Sequence, residues 1–195
     1  MYNNFNLGHN MPPQNQFPQF MPPTSYQNAH PLGKKIVVPV DSAPYPEVAG
    51  DIDLATVALL KEDYAGGKGE LTVVTQYVFQ SGRTTDNDSY ANGILQIAIT
   101  EMMHLDMLGD AIVALGGNPS FDNGKYYWCA SNVNYAMSYK DMLKANIVAE
   151  SDAIANYEKH IAMTKNESVK ALLRRIVEDE KLHLKFFEEL LAKNN

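Results

Sequence analysis

With 195 residues the chain is long enough for one domain of ordinary size with its own core. Lys and Arg number 16 against 23 Asp and Glu, a net charge of −7 with no basic stripe, which excludes a phosphate-seeking surface and nucleic acid as a partner. A single cysteine, Cys129, excludes an internal disulfide framework and fits a reducing compartment, and neither a membrane-spanning apolar run nor a signal sequence is visible.

Residues 1–34 consist largely of Asn, Gln, Pro, Met and aromatics, with six of the ten prolines and no acidic residue. Such a low-complexity tail builds no core of its own. Read plainly it is solvated; read more sharply, Tyr2, Phe5, Phe17, Phe20 and Tyr26 are points that dock on a neighbouring subunit or on coat or shell proteins. Residues 35–195 form the domain. Lys35–Val40 reads as a short strand or an extended arm lying on it. A lead-in helix is expected from about Asp51, carrying Leu54, Val57, Ala58 and Leu60, and it breaks at Gly66-Gly67 and Gly69.

Glu70–Gln80 is rich in β-branched residues, yet a lone strand among long helices has no partner, so it is assigned as the first bundle helix. A polar turn, Ser81–Asp88, leads to a second helix at about Ser89–Leu115 with Ile94, Ile97, Ala98, Glu101, Leu105 and Leu108 on one face. Gly116–Met137 shows no period. A connection of that length is expected where it crosses the full length of a bundle to join two parallel helices, with Trp128, Tyr126 and Tyr127 covering the core. Ser138 caps a third helix running to about Met163, and Asn166 caps a fourth ending near Ala192. The expected fold is therefore all-α, a ferritin-like four-helix bundle of two hairpins joined by a long crossover, preceded by an irregular N-terminal segment.

Two Glu-x-x-His motifs, Glu101–His104 and Glu180–His183, each place a carboxylate and an imidazole on one helix face. Glu70 and Glu101 are equidistant from the first hairpin turn, as Glu150 and Glu180 are from the second, so each pair lies level, about 22 Å from its bend. Glu70 to Glu150 and Tyr77 to Tyr157 span 80 residues, and Glu101 to Glu180 and His104 to His183 span 79. The two halves read as a pseudo-twofold site. Four carboxylates on core faces would be costly without a cation, which points to a pair of metal ions. Carboxylate and imidazole ligands suit manganese or iron, and Met102, Met103, Met107 and Met137 are too soft as donors and are expected to pack. Thr100 and Asp179 are candidate outer partners of the imidazoles, while His160 reads as a surface or interface residue and His9 and His30 as solvated.

The run Gly66-Gly67-Lys68-Gly69-Glu70-Leu71, the run Gln76–Ser81 and the run Glu101–Met107 resemble the ferritin-like di-metal carboxylate superfamily and, within it, the manganese catalase branch. In size and in its irregular N-terminal segment the chain is more similar to the short catalase-like proteins of bacterial spore coats. The resemblance implies that Glu70 and His104 bind one ion, that Glu150 and His183 bind the other, and that Glu101 bridges them. Glu180 is implied either as a further metal ligand or as an outer catalytic acid/base, with Tyr77 hydrogen-bonding around the site. It also implies hydrogen peroxide as substrate, two Mn ions with two Fe ions as the alternative, a homo-oligomer, and a cytoplasmic or spore-coat location. The competing functions are a di-iron peroxidase or ferroxidase of rubrerythrin or bacterioferritin type, and a mainly structural coat component. Ala149 departs from the basic residue that some catalases carry beside the helix glutamate, and no long C-terminal extension follows the fourth helix.

Overall fold

The computed structural model describes residues 40–84 and 88–194; the tail at 1–34 with His9 and His30, most of the expected arm at 35–40, and the centre of the first hairpin turn lie outside them. The described residues form α1 (Leu54–Ala65), α2 (Glu70–Arg83), α3 (Asp88–Ala114), α4 (Tyr139–Met163) and α5 (Glu167–Lys193), with a 3-10 turn at Ala130–Asn132. None of these helices is long and apolar enough to cross a membrane.

Helices begin where the sequence supplies caps. Asp53 accepts from Thr56 N at 3.0 Å, Ser138 from Asp141 N at 3.2 Å and Asn166 from Val169 N at 3.0 Å, each filling an orphan donor of the first turn. The end of α3 needs glycine: Gly116 has φ +84°, and the bonds Gly116 N to Val113 O and Gly117 N to Ile112 O close a Schellman motif. Between α1 and α2 the chain turns so tightly that a Cβ at Gly69 would lie 2.4 Å from Asp63 O.

The β-branched stretch of α2 is helical because its tertiary surroundings override propensity. Val73 and Val74 are buried, and Thr75 turns its hydroxyl back onto Leu71 O at 2.8 Å. The helix runs on through Ser81, Gly82 and Arg83, so the turn is shorter than the sequence suggests; Ser81 is still buried, and its hydroxyl donates to Ala91 O across the hairpin.

Two apolar layers fill the bundle. One gathers Tyr90, Ile94 and Ile97 from early α3 with Met142 and Leu143 from early α4 and Phe187 from late α5. The other gathers Leu108 and Ile112 from late α3 and Leu115 just past its end with Ala153 and Tyr157 of α4, and α1 covers it with Leu60 and Tyr64. Early α3 thus meets early α4, and late meets late, so these helices are parallel and the connection between them must cross the bundle.

That connection is pinned by Lys61 Nζ to Asp122 Oδ2 at 2.6 Å, Trp128 Nε1 to Thr72 Oγ1 at 2.9 Å and Asn134 N to Gln76 Oε1 at 3.1 Å. Trp128 covers the core as expected, but Tyr126 and Tyr127 are 76% and 81% exposed. They lie at the end of a small loop closed by the Asp122–Tyr127 bridge, which carries them away from the bundle. Residues 40–53 form an extended arm along α5, with Asp41 N donating to Asp179 Oδ1 at 2.6 Å and Ala49 N to Ser168 Oγ at 3.1 Å.

Candidate metal centre

Between the two apolar layers lies a polar band of Glu70, Glu101, His104, Glu150, Glu180 and His183, all 3% exposed or less. The level spacing of the hairpins puts these side chains at one depth. Both imidazoles turn Nδ1 inward. His104 Nδ1 is 2.8 Å from Glu101 Oε2, 3.1 Å from Glu180 Oε1 and 3.9 Å from Glu70 Oε1. His183 Nδ1 is 2.8 Å from Glu101 Oε1, 3.4 Å from Glu180 Oε2 and 3.9 Å from Glu150 Oε2. Glu101 and Glu180 each reach both imidazoles, Glu101 more closely.

Two overlapping groups of potential ligands result, Glu70, Glu101, His104 and Glu180, and Glu101, Glu150, Glu180 and His183, with donor atoms within 4.8 Å of one another in each. Within them Glu101 Oε1 and Glu180 Oε1 are buried and make no well-aligned hydrogen bond, although His183 Nδ1 and His104 Nδ1 lie close to them. Burial and the charge of Glu101 push the carboxyls of Glu70 and Glu150 well above the usual range. Burial opposes the charged form of His104, yet hydrogen bonds to Asp179, Glu101 and Glu180 push it well up; His183 rises to about 9, burial being outweighed by the charge of Glu101. Such a set holds itself together with protons where two divalent cations would satisfy every oxygen, so the residues fit a di-metal site.

The tyrosines cross between hairpins. Tyr77 of α2 donates to Glu150 Oε1 of α4, and Tyr157 of α4 donates to Glu70 Oε1 of α2. Each phenol thus reaches the glutamate of the opposite hairpin. The outer partner of His104 also crosses. His104 Nε2 is 3.2 Å from Asp179 Oδ2, which precedes the other motif; Thr100 instead donates to Gln96 O. Asp179 Oδ2 also takes Tyr45 Oη at 2.6 Å and Arg175 Nη1 at 2.7 Å, and Arg175 Nη2 donates to Asp41 O. The arm and α5 therefore hold His104. Arg175 and Tyr45 were not singled out from the sequence, although Arg175 lies one turn before Asp179 on the same face.

Two further expectations change. His160 is 0% exposed, not a surface residue, because α1 packs over α4 and presents Asp63 Oδ2 2.7 Å from its Nδ1. Met102 and Met103 are a little under half exposed and Met137 more than half, and of the four methionines only Met107 packs against the core. A buried amide network was also not anticipated: Gln76 and Gln80 both donate to Asn146 Oδ1 at 2.9 Å, one turn before Glu150. A small cavity, about 10 Å³ for the centre of a water-sized molecule, is lined by Lys68, Asn156, Asp63, Tyr157, Glu70, Glu150 and Glu180.

The ferritin-like domain family matches residues 70–195. Wild-type KatB, a manganese catalase from Anabaena, superposes with a TM-score of 0.73 at 28% identity over 80% of each chain. A second structure of KatB, from Anabaena PCC7120, gives 0.72 and 29% over 78% of each. A stretch of 51 residues is 43% identical to the encapsulin nanocompartment cargo protein EncC of Myxococcus xanthus (strain DK1622), covering 26% of this chain and only 39% of that protein. With its bundle matched by the family and its buried carboxylate and imidazole band set in a manganese catalase framework, the chain belongs to the ferritin-like di-metal carboxylate proteins, on the manganese catalase branch.

Proposed function

We propose that this protein disproportionates hydrogen peroxide at a pair of manganese ions, which Glu70 and His104 on one side and Glu150 and His183 on the other would hold, with Glu101 as the carboxylate they would share. The observation that carries the reading is the two overlapping ligand groups sharing Glu101 and Glu180 in a framework similar to KatB. When bound, the ion pair supplies a two-electron redox change. A peroxide that is reduced takes up two electrons and two protons and leaves as two waters; a peroxide that is oxidised returns two electrons and two protons and leaves as dioxygen. Glu180 handles protons. Burial works against its charge, but hydrogen bonds from His104 and His183 hold its carboxyl below the usual range, so it stands ionised between the two imidazoles as the base that would accept a proton from peroxide. Tyr77 keeps Glu150 oriented, and the small cavity beside Glu70, Glu150 and Glu180 has room for little more than one water-sized molecule.

Metal analysis of fresh protein, then dioxygen release from peroxide after restoring Mn or Fe, tests this reading. Activity requiring Fe and an added reductant overturns it. The likeness to an encapsulin cargo protein favours a second reading, a di-iron peroxidase or ferroxidase associated with a protein shell. Either way we take the protein to be a homo-oligomer of the cytoplasm or spore coat, with the tail at 1–34 as the segment that docks on coat or shell proteins. Removing residues 1–34 should then leave activity intact and abolish higher assembly.

A further inference from the structure

His160 and Asp63 form a buried pair that the reading above leaves without a task. His160 Nδ1 is 2.7 Å from Asp63 Oδ2, and its Nε2 is buried without a hydrogen-bond partner, 3.6 Å from Glu62 Oε2. The Glu62 side chain is 51% exposed, whereas those of Asp63 and His160 are 2% and 1% exposed. On its other side Asp63 lines the small cavity, whose walls also include Tyr157, Glu70 and Glu180. One end of the pair thus reaches solvent through Glu62, and the other faces the space beside the metal-binding carboxylates. A carboxyl and imidazole buried together are a weak source of stability, since apolar residues of the same volume would do as well or better.

Proton balance asks for such a pair. Each half of the proposed reaction moves two protons, and Glu180 carries one. We propose that Asp63 and His160 are the second proton store of this site, exchanging with peroxide through the cavity and with solvent past Glu62. When peroxide is reduced, one proton comes from Glu180 and one from the pair; when the next peroxide is oxidised, each takes one back. The pair touches no electron carrier and changes no redox state. It rests on the peroxide reading for its substrate and on the geometry for its place.

The groups facing Asp63 allow exchange near neutrality. Burial pushes its carboxyl up to about 6, against the hydrogen bond and charge of His160, with Glu62 raising it and Lys159 lowering it. Tyr157, which lines the same cavity, faces it from α4.

The test uses full-length protein loaded with manganese. Asp63→Asn should keep two ions per chain and the wild-type KM but lose kcat by about tenfold or more, with a larger solvent deuterium isotope effect and partial rescue by small buffer acids. Asp63→Glu, which keeps a carboxyl, should recover most of the rate. If Asp63→Asn does not fold, the wild type alone decides: infrared titration should show a protonated-carboxyl band that disappears between about pH 5 and 7. An Asp63→Asn protein with wild-type kcat and isotope effect, or a wild type lacking the band, overturns the proton store. A wild type that loads two ions and releases no dioxygen overturns the peroxide reading instead, while the infrared band still decides the store.

Discussion

Asp179 sits one residue before Glu180, yet the imidazole it meets is His104, in the opposite hairpin, with Oδ2 3.2 Å from Nε2. This crossing ties the His104 half of the site to the arm and to α5. His104 is oriented through Asp179 by Arg175, Tyr45 and the arm, whereas Thr100, the counterpart of Asp179, turns its hydroxyl to its own helix.

Asp179→Asn should therefore weaken one ion more than the other. A ligand histidine without its outer partner typically loses about 10- to 100-fold in metal affinity. Titration with manganese should change from two similar steps to one tight and one weak. Arg175→Ala leaves Asp179 buried beside fewer cations and should cost about 3 kcal/mol, read as a fall in Tm.

The crossed tyrosines make a reciprocal prediction. Tyr77→Phe removes the donor to Glu150 and should weaken the ion on the His183 side; Tyr157→Phe removes the donor to Glu70 and should weaken the His104 side. Each leaves a buried oxygen unpaired, at roughly 1–3 kcal/mol. Metal competition assays on the two single variants should show opposite site preferences.

Glu101 and Glu180 both reach both imidazoles, and substitution separates their proposed roles. Glu101→Gln should lose bound metal. Glu180→Gln should keep two ions per chain but lose dioxygen release by about 100-fold or more. Loss of metal in both variants would make Glu180 a ligand as well.

The pH dependence of stability follows from Asp63. Its folded pKa of about 6 lies above the ordinary 3.8, so the folded state binds its proton more tightly than the unfolded state does. The stability this provides is fully present below about pH 4 and is lost as pH rises through about 6. Relative to Asp63→Asn, the wild type should lose Tm between pH 4 and 7, measured without added metal.

The tight link between α1 and α2 should be unforgiving. Gly69→Ala places a methyl 2.4 Å from Asp63 O and must shift either the end of α1 or the start of α2, which carries Glu70. Both Tm and manganese content should fall, while Gly82→Ala, whose Cβ would meet nothing within 4 Å, should leave metal content unchanged and serve as the control.

The helices, their caps and the depth of the six donors were legible in the sequence because they depend on short-range rules: a residue's face follows from its spacing along one helix, and its depth from its distance to a turn. Glu101–His104 and Glu180–His183, with Glu70 and Glu150 level with them, could be assembled from that arithmetic alone. Only the tertiary structure decided which donor meets which acceptor across the bundle. Tyr77 pairs with Glu150, Tyr157 with Glu70 and Asp179 with His104, because those contacts depend on how the hairpins are rotated against each other. The burial of His160 was decided in the same way: its spacing on α4 points it off the ligand face, and it is the packing of α1 across that face that turns it from a surface residue into the partner of Asp63.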